Sequence, residues 1–210
     1  MVARYVWLWI FGLALGWFEA AVVVYLRALY YPEGFALPLV MIPSHMALVE
    51  IVRELASLVL LAAVGRLAAS RGLERFAAFA LLFGVWDLFY YVALKLVLGW
   101  PSTLATWDVL FLIPVPWLGP VWAPCVVSLA LVAGGSLILL SPERERRYRL
   151  WEWGLAALGG ATVIGSFLAN WRPAVEGRLP DAFPAALFWV GWLLAVIVMT
   201  RAEVRTRRSA

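Results

Sequence analysis

Four carboxylates of this chain, Glu19, Glu50, Glu54 and Asp87, lie inside long apolar runs rather than between them. A charge in such surroundings is costly, so a residue of this kind faces a polar interior, pairs with an opposite charge or serves a function. Glu50 and Glu54 are four residues apart and share one face of a helix, and Arg53, one turn from Glu50, can neutralise one of them. Asp87, Tyr91 and Lys95 recur at four-residue steps, an acid, a phenol and an amine along one stripe, with Tyr90 beside it. When carboxylates outnumber cations in a low-dielectric site they cannot all ionise, and a carboxyl that keeps its proton can act as a general acid. Glu19, Glu50, Glu54 and Asp87 are therefore the candidate catalytic proton donors and acceptors. Arg53, Tyr90, Tyr91, Lys95, Asp108 and His45 are the candidate binding residues. The plainer alternative is that pairs of the Glu50–Arg53 kind only hold helices together.

Metal chemistry has little to work with. His45 is the one histidine and Cys125 the one cysteine. That excludes a multi-histidine haem or copper site from this chain alone, an intrachain disulfide and a cysteine-rich metal site. His45, Glu50 and Glu54 with Asp87 or Asp108 would be the ligand set for a hard cation, but no E-x-x-H pair accompanies them. No metal site is assigned, and the sequence names no cofactor.

The elements that must position these groups follow from composition. Of 210 residues 65% are hydrophobic and 14% charged, with a mean hydropathy of +0.90. A soluble domain is nearer ~45–50% apolar and ~25% charged. A bilayer accepts apolar side chains on the outside of a protein, and the thirteen Trp residues suit its two interfaces. Apolar runs of roughly 20 residues, enough for a helix to cross, cover 5–26, 44–68, 74–98, 119–140, 150–170 and 184–200. Proline, glycine and charge clusters separate them, among them Pro32, Pro38, Arg71-Gly72, Pro101, Pro114, Pro116 and Ser141-Pro142. The first run is too long for the apolar part of a signal peptide and carries Glu19, so it reads as a mature helix. The expectation is an all-α, polytopic transmembrane helix bundle, a single domain over 1–210 with about six spans. Residues 101–117 are too apolar for an aqueous loop and too short and proline-rich for a crossing. They read as an interfacial or re-entrant half-helix on the outer side, over roughly 104–113, acting as a lid or an aromatic anchor.

The seventeen Lys and Arg residues outnumber the thirteen acids but stand in short clusters between the spans, so they read as topology signals rather than as a nucleic-acid surface. Arg4, Arg66, Arg71 and Arg75, then Arg144, Arg146, Arg147 and Arg149, then Arg201, Arg205, Arg207 and Arg208 all fall on one side if the chain crosses six times. The positive-inside rule puts that side, with both termini, in the cytoplasm. Glu19, Glu50, Glu54, Asp87, Lys95, His45 and Asp108 then converge on the middle and outer leaflet, provided the first three helices are neighbours. Gly12 and Gly16 form a GxxxG face on the first helix, with Glu19 on nearly the same side, so Glu19 should point at other helices rather than lipid. The last three spans are nearly free of ionisable groups, Glu152 lying near the cytoplasmic end.

The segments FGVWDLFYYVALKLVLGWP, TWDVLFLIPVPWLGP and GWFEAAVVVYLRALYYPEG resemble, through the fourth helix, an uncharacterised family of small bacterial multi-pass membrane proteins. That resemblance implies a bacterial cytoplasmic (inner) membrane and carries no catalytic residues with it. A fainter likeness to membrane-embedded carotenoid and terpenoid cyclases rests on size, helix count and intramembrane acids, with VWD at Val85–Asp87 and the FLIP segment. Such cyclases protonate a polyene with a buried acid, but the paired acids they carry before an apolar FF segment are missing here.

Three functions fit these observations: acid/base chemistry on, or binding of, a lipid or isoprenoid by the outer-leaflet carboxylates; a small transporter or proton or cation pathway; and an accessory subunit, as a homo-oligomer or in a larger membrane complex. The Gly-rich fifth span (Gly154, Gly159, Gly160, Gly165) suits close helix packing in the last case. An enzyme predicts an apolar-walled cavity with the acids at its end, a transporter polar access from both faces, and a packing subunit no cavity.

Overall fold

In the computed structural model, which describes residues 2–141, 146 and 148–208 (side chains to 206), helices α1 (Val2–Tyr30), α2 (Ser44–Ala68) and α3 (Gly72–Leu98) are followed by a hairpin of β1 (Trp107–Phe111) and β2 (Trp117–Pro120). Helices α4 (Trp122–Leu139), α5 (Leu150–Leu168), the short α6 (Trp171–Val175) and α7 (Ala185–Arg208) complete the chain. Arg144 and Arg147 lie outside the described residues, as do the side chains of Arg207 and Arg208. Ser44, a residue type favoured at helix N-caps, is the first helical residue of α2, and Pro43 takes the cap position without a side-chain bond.

Five helices, α1, α3, α4, α5 continued through α6, and α7, are long and apolar enough to cross a membrane. α2 has the length, 25 residues, but spreads Glu50, Arg53, Glu54 and Arg66 along it. It nevertheless runs the depth of the bundle, since its last turn accepts a hydrogen bond from Arg4 of α1 at the Ala68 carbonyl (2.6 Å). The architecture is a multi-pass transmembrane bundle. Its surface is apolar: Trp7, Trp17, Phe18 and Tyr25 of α1 and Val59 and Leu60 of α2 are exposed, while Glu50, Glu54, Asp108 and Glu152 are buried. Lipid, not water, is the solvent that makes this distribution stable.

α3 is the centre. Of its most apolar stretch 61% is buried, against 22–28% in the other candidate spans, and it packs on α1, α2 and α4. Gly12 and Gly16 are buried on α1; a Cβ there would lie 2.8 Å from Val85 and from the Trp86 carbonyl of α3. The GxxxG face is thus the α1–α3 contact. α5 and α7 form a second pair, meeting at Gly159 and Gly191, where a Cβ on either would come within 2.6 Å of the other's carbonyl oxygen. The remaining glycines of that span, Gly154, Gly160 and Gly165, have open space beside them and make no such contact.

Several bonds tie one end of the bundle together. Arg4 reaches α2 there, the Tyr5 hydroxyl meets Ser136 Oγ of α4 at 2.8 Å, and Arg146 joins Glu203 of α7 (2.8 Å) to the Ser141 and Leu137 carbonyls. Arg205 pairs with Glu152 of α5. The described basic clusters therefore share one end with the chain's start.

The segment 101–117 is not a half-helix. It enters the β-hairpin, in which Trp107 faces Pro120, Asp108 faces Gly119, Val109 faces Leu118 and Phe111 faces Trp117, with an irregularity between Val109 and Phe111. Pro114 and Pro116 cannot donate helical hydrogen bonds and push the residues before them to extended conformations, while the stretch before them, TWDVLF, is β-branched and aromatic. The expected half-helix is thus corrected to a pair of strands packed on the bundle.

Helix contact at α5–α7 gives a direct test. Gly159→Leu should destabilise the protein by about 1–3 kcal/mol through overpacking, whereas Gly160→Leu, one residue away with open space beside it, should change stability by less than about 0.5 kcal/mol. Thermal unfolding of both variants in one detergent measures the difference.

Candidate functional site

α1 and α2 both lean on α3 but have few backbone contacts with each other. The gap between them is a partly open cavity of about 290 Å3. Each wall brings its own chemistry: Glu19 and Arg27 from α1, Glu50, Arg53 and Glu54 from α2, Trp86, Asp87, Tyr90 and Tyr91 from α3, and Asp108 from the hairpin. The rest is apolar, with Val23, Leu26, Phe35, Val40, Met41 and Phe111 among it. α6 reaches the lining through Ala174 and Val175. The site lies away from the basic end, because α1 and α3 both finish beside it.

The polar groups form three connected sets. Arg53 bridges the first two helices, bonding Glu19 of α1 through Nη1 and Glu50 through Nη2 at 2.8 Å and Nε at 2.9 Å. Arg27 reaches Asp108 of the hairpin at 3.1 Å, with both side chains more than nine-tenths buried, and the Tyr90 hydroxyl donates to the other oxygen of Asp108 at 3.4 Å. The Arg27 guanidinium lies over the rings of Trp100 (3.7 Å) and Phe35 (4.4 Å), a cation–π stack that fastens the end of α1 and the following loop to the end of α3.

Glu54 and Asp87 complete the site differently. Both Glu54 oxygens accept from the Leu112 backbone N–H (2.8 and 3.1 Å), where the hairpin leaves its ladder. A free amide at membrane depth would be costly, so the carboxyl of α2 docks the hairpin. Asp87 accepts from the Ser128 hydroxyl of α4 at 2.7 Å. Among the described residues neither carboxyl has an ion pair, in contrast to Glu19, Glu50 and Asp108.

All four candidate proton carriers thus line one cavity, together with Arg53, Tyr90, Tyr91 and Asp108. Two candidate binding residues do not. Lys95 closes the end of α3 by donating to the carbonyls of Gly99 (2.9 Å) and Pro101 (2.8 Å); the four-residue stripe carries it past the cavity to the helix terminus, where free carbonyls await a donor. His45 is exposed at the start of α2. Among the described residues no group of three or more His, Cys, Asp and Glu side chains is placed to hold a metal ion. Arg27 and Ser128 are the residues that sequence reasoning missed. Arg27 continues the buried stripe of Leu8, Gly12, Gly16 and Ala20 along α1, and that stripe was the available signal. Ser128 carries no signal of its own.

Compared with known proteins, the chain matches no family model, no curated protein and no solved structure. The function must therefore be argued from the cavity.

Removing one partner of a buried ion pair costs far more than removing both, because the survivor is left uncompensated. Arg27→Met should cost about 3–5 kcal/mol by stranding Asp108, and Arg27→Met combined with Asp108→Asn should regain more than half of that. Unfolding midpoints of the two variants in detergent decide the matter.

Proposed function

We propose that this is a multi-pass protein of the bacterial cytoplasmic membrane, both termini in the cytoplasm, that takes a lipid or isoprenoid into the cavity between α1, α2 and α3 and performs acid/base chemistry on it. The observation that carries the reading is the pairing pattern inside the cavity. Three carboxyls are matched by Arg53 and Arg27, and two, Glu54 and Asp87, are held by neutral donors in an otherwise apolar and aromatic pocket. A carboxyl without a cation in low dielectric is suited to move a proton to or from a bound group.

The two differ in their freedom to act. Glu54 is occupied at both oxygens by Leu112, so its first role is to hold the hairpin. Asp87 is half-buried, lines the cavity and spends one oxygen on Ser128. Asp87 is therefore the proton carrier, Ser128 its positioning residue, and Tyr90 and Tyr91 steady the ligand. A subunit that only packs against partners has no use for such a cavity. A transport path needs matching polar access from the other face, and at that end α1 and α4 are tied to each other through Tyr5 and Ser136. The cytoplasmic orientation rests on the basic clusters at the end opposite the cavity.

Native mass spectrometry with lipidomics on the protein extracted gently from its membrane should reveal a specific lipid or isoprenoid. Asp87→Asn should abolish its turnover while the protein stays folded, and Glu54→Gln should also lower the ligand's occupancy by loosening the hairpin. Stoichiometric partner proteins with no specific lipid would reject the proposal.

A further inference from the structure

We propose that residues 36–42 form a strap over the mouth of the cavity, latched by Tyr31, and that its release admits the ligand directly from the lipid. The proposal concerns access to the lipid or isoprenoid site argued above and rests on that reading. Its first support is the way the cavity meets its surroundings. The charged lining is set inside, since Arg27, Glu50, Glu54 and Asp108 are all buried. Among the described residues the exposed members of the lining are Val40 (46%) and Met41 (69%) of the strap and Val175 (40%) of α6. The rim is thus apolar, and Val175 ends the long apolar stretch that begins with α5. Facing water, these three side chains would be hydrated at a cost; facing lipid, they are in the solvent that suits them.

The second support is how lightly the strap is held. The connection from α1 to α2 starts firmly, because Phe35 lies against the Arg27 guanidinium (4.4 Å) and the rings of Tyr31 (5.0 Å) and Trp100 (5.8 Å). The stretch that follows, ALPLVMI, has no such anchor. Pro38 and the next residue along, Pro43, oppose a helix there, and among the described residues no strand pairs with it. Among the described residues its backbone makes one hydrogen bond, from the Val40 N–H to the Tyr31 hydroxyl at 2.8 Å. Yet Leu39, Val40, Met41 and Ile42 in succession line the cavity. A segment with so few backbone bonds opens far more easily than the helices around it, and lids are drawn from such segments. Tyr31 ties the middle of the strap back to the end of α1, so its hydroxyl is the latch.

Two cysteine reporters in a Cys125→Ala protein, held in nanodiscs, test the strap without any ligand. Met41→Cys carries a nitroxide whose spectrum reads motion of the strap. Val23→Cys lies on the cavity lining one turn from both Glu19 and Arg27, and its rate of reaction with maleimides reads access. Tyr31→Phe keeps the ring and removes the latch. It should sharpen the nitroxide spectrum and raise the rate of labelling of Val23→Cys by N-dodecylmaleimide about two- to tenfold. With or without the latch, this lipid-dissolved reagent should label faster than a sulfonated maleimide confined to water. Unchanged motion or an unchanged labelling rate in Tyr31→Phe would overturn the strap, and faster labelling by the sulfonated reagent would overturn entry from the lipid. Native Cys125 is half-buried and outside the cavity lining. An equal rise in its own labelling, measured where it is retained, would mean that Tyr31→Phe loosens the whole bundle and would overturn the latch. Failure of the strap leaves the ligand site standing, whereas a mass spectrum with partner proteins and no specific lipid removes the ligand whatever the strap does.

Discussion

The guanidinium of Arg53, held between Glu19 of α1 and Glu50 of its own helix, is the tie on which the α1–α3 half of this bundle depends. α1 and α2 each find a close-packed surface on α3, but little apolar contact joins them to each other. In lipid no hydrophobic force draws two such helices together, so a charge-assisted bond between them does what packing does elsewhere. It also sets the distance between the two walls, and with it the cavity. Were α1 and α2 packed directly, the acids would be interfacial pairs and nothing more.

The hairpin is the second consequence of the same constraint. An extended segment at membrane depth survives only if its backbone groups are paired. β1 and β2 pair most of theirs, the Thr106 and Leu104 carbonyls take the Val121 and Trp122 amides, and Glu54 takes the amide of Leu112. Asp108, read as an outer loop acid, is drawn inside because Arg27 waits there, stacked on Trp100 and Phe35. The charges that close the cavity are thus also the charges that attach the hairpin, so the roof and the site form as one unit.

The opposite end has a comparable but simpler lock. Arg205 with Glu152 and Arg146 with Glu203 join α7 to the start of α5 and to the end of α4, and α5 and α7 meet closely at paired glycines. Among the described residues this half carries no cavity acids. The molecule therefore divides its labour: a close-packed pair at α5–α7 and a charge-tied triad at α1–α3, with α4 and the hairpin between them.

The sequence by itself determined the class, the approximate position of each long helix and the helix face on which the acids lie. Those follow from the length of apolar runs, the breakers between them and helical periodicity, all local properties. Glu50, Arg53 and Glu54 could be grouped because four-residue spacing puts them on one face, and Gly12 with Gly16 could be read as a contact face for the same reason. The partners were another matter. That Arg53 reaches back to Glu19, that Glu54 holds the Leu112 amide, that Asp87 meets Ser128 and that Arg27 meets Asp108 are contacts between residues 34 to 81 positions apart. Lys95 shows the converse, since correct periodicity carried it past the cavity to the end of α3. Periodicity tells which way a side chain points on its helix; only the packing of helix on helix decides what stands opposite it. The hairpin failed to be read for the same reason: in a proline-rich apolar segment local preference is weak, and its strands are held by each other and by Glu54.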